Sequence, residues 1–318
     1  MMPTLPDLPG LTWRPWNAED VGALVRHARR IHDADNLSRA PGPEMFRWLL
    51  GQEEFDPAAD GLIAVDDAGE VLGEAGTWAH ITPNGARCFV WADTTPDQAH
   101  LRPHLVAWAE GRARTLLAAA PTGVERVIRT SIEAHRKALA AVFEQAGFRP
   151  GRVFLTMRRS LDGLPPLRPV AEGIAVVRWS PDLDESARTA SNASFADHWG
   201  SLPMGPETWR GMYRNAGAFR PGLSFLALDG EQVVSLSLVH EEEAGEVEIH
   251  RVGTVPSHRR RGLAEHLILR SLHAAGDTGE FGRASLDVDE SSGSNAVRLY
   301  TRLGFEIADR SIQYVKPA

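Results

Sequence analysis

The hydrophobic and polar positions of this chain pass through the same order of signals twice. The stretch LTWRPWNAEDVGALVRHARRI opens with a strand-like alternation at Leu11–Trp13. It then reaches Asn17, which can cap a helix whose first turn carries Glu19 and Asp20. The stretch IAVVRWSPDLDESARTASNASF, from Ile174, repeats the strand and the Arg-Trp neighbourhood (Arg14 in the first half, Arg178 in the second), with a helix starting near Ser180 and Pro181. Proline is tolerated in a first helical turn because its missing N–H has no partner there. Each half continues with two strands around a tight turn, at Asp67-Ala68-Gly69 within residues 61–80 and at Asp229-Gly230 within residues 223–240. Each half then ends in a helix closed by Gly-Phe, AVFEQAGF at 141–148 and RLYTRLGF at 298–305. Gly147 and Gly304 suit the left-handed position that ends a helix, and the phenylalanine starts a returning strand.

These landmarks recur at about 160 residues, too long a period for a solenoid unit, so the chain reads as two copies of one domain. The segment LDGLPPLRPVAEG at 161–173, rich in proline and glycine, is the expected linker, which divides the chain into domains at 1–160 and 174–318. A length of 318 residues accommodates two domains, and 43% hydrophobic with 24% charged residues is the composition of a globular protein. The formal net charge of −8 argues against a nucleic-acid or membrane-surface role. Cys88 is the single cysteine, which leaves no internal disulfide and no cysteine-built zinc cage; a small core residue is its expected role. The N-terminal MMPTLPDLPG has no apolar signal segment, and no run of about 18 apolar residues occurs, so a cytoplasmic location is expected.

Against this acidic background, VPSHRRRGLAEHL at 255–267 gathers three arginines and a histidine. The preceding GEVEIHRVGTV alternates as a strand, and Leu263, Leu267, Ile268 and Leu272 follow at helical spacing, which puts Gly262 at a helix start. Such a start has unpaired backbone N–H groups and about half a positive charge. A diphosphate fits there, a glycine lets it approach the chain, and arginines pair with its remaining oxygens. The other reading of the stretch is a solvated basic turn before an ordinary helix.

The pattern V-P-x-x-R-x-x-G-x-A, here Val255, Pro256, Arg259, Gly262 and Ala264, resembles the acetyl-CoA signature of the GNAT superfamily of N-acetyltransferases. The resemblance implies an α/β fold of two tandem domains, each a twisted mixed β-sheet flanked by helices. It implies acetyl-CoA as co-substrate and no metal. The amides of Arg259, Arg260, Arg261, Gly262, Leu263 and Ala264 would hold the CoA pyrophosphate, and the main chain of Val252, Gly253, Thr254 and Val255 the pantetheine arm. The segment ASLDVDESSGSNAVRLYTRLGFE at 284–306 resembles the family's closing strand, helix and strand, with Ala296 and Gly304-Phe305 in place. Tyr300 matches the tyrosine near the CoA sulfur; a phenol of pKa about 10 can protonate a departing thiolate. One position departs: seven residues before the tyrosine the family often has Asn, and here stands Gly293, with Asn295 or Ser292 as replacements. The marked resemblance covers 246–306. The tandem order with a complete second half is also similar to that of mycothiol synthases, in arrangement alone.

In GEVEIHRVG, alternation places Glu246, Glu248 and His250 on one face. Family members often carry a base on this strand, usually Glu acting through water, which makes Glu248 the first choice and His250 the second. A solvated acidic run beside a turn is the alternative. By the same resemblance, a backbone N–H near Val252 or Gly253 would hold the oxyanion. On the acceptor side, in FADHWGSLPMGPETW at 195–209, Asp197, His198 and Trp199 are candidates to contact a cationic or sugar-like amine, Trp199 by cation–π attraction. The alternative has Trp199 and Trp209 in the core and Asp197 as a cap. The matching place in the first half is IHDADN at 31–36.

The first half lacks the signature. In TPDQAHLRPHL at 95–105 Pro96 remains, but Arg102 takes the place of Gly262 and Pro103 follows, while Phe143 stands where Tyr300 does. An arginine there would crowd a phosphate and a proline removes a donor, so the first domain is expected to keep the fold without the cofactor site and to wall the acceptor pocket. The expected protein is thus an acetyl-CoA-dependent N-acetyltransferase acting on a small-molecule amine, monomer or homodimer, with no nucleic-acid or membrane partner. A non-catalytic acyl-CoA binding or sensing module and a protein N-acetyltransferase are the alternatives.

Overall fold

The computed structural model of the chain describes residues 4–38, 42–52, 54–198, 201–214, 217–291 and 296–318. It separates into two compact units: the chain up to Phe154 together with Asp309–Ala318, and Leu155–Ala308.

The first half of the chain forms β1 (Leu11–Pro15), α1 (Val21–Asp35), α2 (Pro43–Leu50), α3 (Pro57–Asp60), β2 (Gly61–Asp66), β3 (Val71–Thr82), β4 (Gly85–Thr94), α4 (Arg102–Leu117), β5 (Arg126–Glu133), α5 (Lys137–Gln145) and β6 (Arg149–Ser160). The second half forms β7 (Ile174–Arg178), α6 (Asp184–Phe195), α7 (Pro206–Trp209), β8 (Phe225–Asp229), β9 (Gln232–Glu243), β10 (Glu246–Thr254), α8 (Leu263–Thr278), β11 (Arg283–Asp289), α9 (Ala296–Arg302) and β12 (Glu306–Pro317). The first unit's strands run β1-β2-β3-β4-β5-β12 and the second unit's run β7-β8-β9-β10-β11-β6. Among the described pairings β4 with β5 and β10 with β11 run parallel, while β1–β2, β2–β3, β3–β4, β5–β12, β7–β8, β8–β9 and β9–β10 run antiparallel.

Local chemistry sets the element ends where the pattern placed them. Asn17 accepts from the Glu19 N–H at 2.9 Å while the Asn17 N–H donates to Asp20 at 2.8 Å, so two donors at a helix start are satisfied reciprocally. Gly147 and Gly304 hold φ of 88° and 83°. The N–H of each following phenylalanine then reaches back to Phe143 and Tyr300 respectively, both at 3.0 Å, as a left-handed helix end requires. Each sheet is covered on both faces. In the first unit α1 and α2 bring Leu24, Val25, Phe46 and Leu49 onto Trp16, Ile63 and Val65, while Leu105, Ala109 and Leu117 of α4 pack with Val90 and Ile128. In the second unit Ala187, Ala190, Trp209 and Tyr213 cover Leu236 and Leu238; on the other side Leu263 and Leu267 cover Ala227 and Val234. Each such leucine contributes about 1.5–3 kcal/mol by leaving water. Among the described residues no helix is long and apolar enough to cross a membrane.

The partition differs from a simple cut at the linker because the last strands are exchanged. Ser311–Pro317 of β12 pairs antiparallel with Val127–Glu133 of β5 in the first unit. In the second unit the far end of β6 neighbours β11: Thr156 Oγ1 donates to Asp287 at 2.7 Å, and the Leu161 N–H donates to the Gly282 carbonyl at 3.0 Å. Both strands leave an identical Gly-Phe exit, so nothing in the pattern distinguishes which sheet each will complete.

Candidate active site

The parallel pair of the second unit is bonded only at the start of its strands. Among the described residues the ladder between β10 and β11 runs from Glu246–Arg283 to Glu248–Ser285, while β10 continues to Thr254 paired with β9 alone. The Val255 N–H donates to Val234 and the Gly253 carbonyl accepts from Ser235 Oγ at 2.8 Å, so residues 253 and 255 turn toward β9. Alternation then turns the amides of Val252 and Thr254 into the opening. Of Val252 and Gly253, register leaves the Val252 amide facing away from β9.

The opening leads to the basic knot. After Pro256–His258, Arg260 and Gly262 both adopt left-handed backbone, with φ of 63° and 78°, and α8 starts at Leu263 with no side-chain cap. A Cβ on Gly262 would meet nothing within 4 Å, so conformation and not crowding calls for glycine here. The arginines divide their work. Arg259 donates to both carboxylate oxygens of Asp197 at 2.7 and 3.0 Å, to the Ser194 carbonyl at 3.0 Å and to the Thr254 carbonyl at 3.3 Å. His258 pairs with Asp229 at 3.0 Å. Arg260 and Arg261 form no hydrogen bond or ion pair with the described residues. An uncapped helix start with two uncommitted guanidinium groups is the donor set that a diphosphate requires.

The strand leading to this knot carries a polar cluster on its α6–α7 side. A register shift between Ile249 and Arg251 makes His250 the extra residue of a bulge. Its Nδ1 lies 3.0 Å from the Tyr213 hydroxyl, and its ring stacks on His240 at 4.1 Å. Glu248, buried, stands across the ladder from His240. Burial pushes the Tyr213 phenol up to about 12, with the nearby Glu248 adding to the rise and Arg251 opposing it. Arg251 donates to Ser191 Oγ at 2.5 Å and lies 4.1 Å over the Phe195 ring, on which His198 stacks. Gly253 allows α6 this close: a Cβ there would sit 2.8 Å from Ser194 Cβ.

Glu246 does not join that cluster. It is buried in ion pairs with Arg158 at 3.2 Å and Arg283 at 3.3 Å. Tyr300, on α9, is also buried; it meets Phe305 edge-on, and desolvation pushes its phenol up to about 12. Leu263 and Ala264 form the first turn of α8. Trp199 and Asn295, with Ser292 and Gly293, lie outside the described residues. Sequence reading missed Tyr213, His240 and Arg251, which reach the site by three-dimensional packing.

The first unit places different groups at the equivalent positions. Its β4–β5 ladder likewise stops, at Phe89–Arg129. Arg102, buried at 3% exposure, folds back and donates from Nε to Thr94 Oγ1 and from its guanidinium end to the Thr94 carbonyl, both at 2.9 Å. Asp93, where the second half has Gly253, accepts a two-pronged bond from Arg136 at 2.7 and 2.6 Å, while Arg136 Nε binds Asp35 of the IHDADN stretch at 2.7 Å. Glu74 faces Asp93 across the ladder with a buried oxygen that has no hydrogen-bond partner; burial, with Asp93 beside it, pushes its carboxyl up to about 8. His27 is pushed down to about 4 by burial and by Arg30.

The profile of the acetyltransferase (GNAT) family matches residues 185–305. The chain is similar to a mycothiol acetyltransferase of Mycolicibacterium gilvum, 30% identical over 97% of this chain and 99% of that protein. Among solved structures it is similar to a GCN5-related N-acetyltransferase from Sphaerobacter thermophilus, 25% identical, covering 99% of this chain and 97% of that one with a TM-score of 0.77. A tandem GNAT protein from the clavulanic acid biosynthesis pathway shares the fold at 17% identity, covering 96% and 98% of the two chains with a TM-score of 0.66.

Proposed function

Because this chain belongs to the GNAT acetyltransferase family and is an N-acetyltransferase, we propose that it transfers the acetyl group of acetyl-CoA to the amine of a small molecule, in the second unit. The observation that carries this reading is the opening between β10 and β11 that ends at the uncapped, left-handed turn Arg260–Gly262. Acetyl-CoA supplies a thioester whose acetyl carbon is open to a neutral amine. Arg260, Arg261 and the amides through Ala264 hold its diphosphate, and the main chain of Val252–Val255 lines its arm, with the Val252 N–H directed at the thioester oxygen. Glu248 accepts the proton of the amine, with His250 beside it as the second candidate. Tyr300, held protonated at neutral pH, donates a hydrogen bond at the sulfur; at about 12 its phenol acts as a donor more than as an acid. The Phe195–His198 stack forms a wall on the acceptor side, where Trp199 follows in the chain.

The acceptor proposed is an amine of the class acetylated by the mycothiol acetyltransferases the chain is similar to. In this reading the first unit takes no acetyl-CoA, since Arg102 and the Asp93–Arg136 pair occupy the corresponding opening. Calorimetry with acetyl-CoA, followed by release of free CoA thiol on addition of a panel of amines, tests the assignment. Binding without thiol release from any amine would favour a sensing module, and absence of binding would end the proposal.

A further inference from the structure

We propose that Asp197 sets the second unit's affinity for its cofactor by holding Arg259, so that the diphosphate and the Asp197 carboxylate compete for one guanidinium group. The inference rests on the acetyl-CoA reading above. It makes Asp197 a positioning residue, where the sequence alone had marked it as an acceptor contact.

Three observations lead to it. Of the three consecutive arginines, Arg260 and Arg261 are uncommitted, whereas Arg259 spends its donors on Asp197, Ser194 and Thr254. The pair is exposed, at 38% for the Arg259 side chain and 65% for that of Asp197, and exposed pairs are weak enough for a stronger anion to displace. A diphosphate at the turn is such an anion, because it carries more charge and more acceptor oxygens than one carboxylate. The third observation is where the pair sits. Asp197 follows the end of α6 by two residues, and Arg259 also neutralises the α6 C-terminus through the Ser194 carbonyl. That end of α6 carries Phe195 and His198, the ring stack on the acceptor side. Transfer of Arg259 to the phosphates therefore removes a cation and three hydrogen bonds from the α6 end as the cofactor arrives. Cofactor binding and the acceptor wall are coupled through one side chain.

A double-mutant cycle on the full chain tests this, with acetyl-CoA and CoA as probes in calorimetry at several salt concentrations. Asp197→Asn should tighten both ligands by about 5-fold, on the scale of one charge-assisted bond made available, and steepen the salt dependence. Arg259→Gln should weaken both. In the Arg259→Gln background Asp197→Asn should change nothing, since Asp197 acts through Arg259. Amide exchange over residues 190–198 should accelerate when CoA binds the wild-type protein. An unchanged or weakened affinity in Asp197→Asn overturns the proposal. So does an equal gain with and without Arg259, which would reveal direct repulsion of the phosphates by Asp197. These outcomes presuppose a wild-type chain that binds acetyl-CoA; a wild-type chain that does not bind overturns the functional reading itself.

Discussion

Replacing Glu74 by glutamine should change how the stability of the first unit depends on pH. Glu74 sits on β3 opposite Asp93, almost fully buried, and its carboxyl is pushed from 4.5 to about 8, first by desolvation and then by the neighbouring negative charge. Between those two values the folded protein keeps a proton that the unfolded chain gives up. Stability therefore falls as pH rises, by about 1.4 kcal/mol per unit. From pH 4.5 to pH 7 the loss amounts to about 3 kcal/mol, and it levels off once the folded carboxyl ionises above pH 8. Glutamine has no such proton. Its amide places an N–H₂ near a buried oxygen site at its own cost of about 1–3 kcal/mol, but that offset does not vary with pH. The gap between variant and wild type should thus move in favour of the variant by about 3.5 kcal/mol between pH 5 and pH 8. His27 works in the opposite sense: its folded value is lowered to about 4, so stability is lost as pH falls from 6.5 toward 4. Comparing the two proteins at each pH cancels that contribution. Urea unfolding followed by tryptophan fluorescence is the assay; Trp13, Trp16, Trp48, Trp78, Trp91 and Trp108 lie in the first unit, so its transition dominates the signal. Two curves of stability against pH that run parallel from 5 to 8 would refute the buried, unpaired carboxyl.

Gly262→Glu should abolish acetyl-CoA binding with little loss of fold. There is open space for the side chain, the left-handed backbone costs about 1 kcal/mol, and the new carboxylate faces the phosphates; unchanged binding by calorimetry would contradict the site. Tyr300→Phe should lower kcat by 10-fold or more while the affinity for acetyl-CoA stays within about 2-fold, as removal of one hydrogen-bond donor to the departing sulfur predicts; an unaffected kcat would remove Tyr300 from the reaction. Arg102→Ala should destabilise the first unit by about 2–3 kcal/mol in chemical unfolding, because the Thr94 carbonyl loses its buried donor, and should leave acetyl-CoA at one per chain. Two acetyl-CoA bound per wild-type chain would overturn the reading of the first unit.

Much of this was legible in the sequence because it depends on backbone. Helix ends written by Asn17, Gly147 and Gly304, and a turn written by Gly262, are fixed by neighbours a few residues away. What was not legible depends on pairings between distant segments. The exchange of β6 and β12 follows from which edge each strand meets, and both carry the same local signal. The commitment of Arg259 to Asp197 joins residues 62 apart, and the Tyr213–His250 contact joins residues 37 apart. Strict alternation also failed at one informative place. The bulge at His250 lets His250 and Arg251 both reach groups on the α6–α7 side, where a regular strand would turn one of them away.

The two units place different groups at corresponding positions beside their parallel strand pairs. In both, the ladder between the parallel strands stops early, after four residue pairs in the first unit and three in the second. In the second unit Gly253 contributes no side chain, which lets α6 approach the strand closely. In the first unit Asp93 fills that position. A partly buried aspartate there needs a partner, and Arg136, the residue before α5, supplies it. The pair ties β4 to the segment that follows β5, beyond the last residue pair of their ladder. Glu74, protonated across from it, is what remains affordable for a second carboxyl in that enclosure. If acetyl-CoA binds the second unit alone, as proposed, the first unit's melting transition should stay fixed on titration with the cofactor while that of the second unit rises.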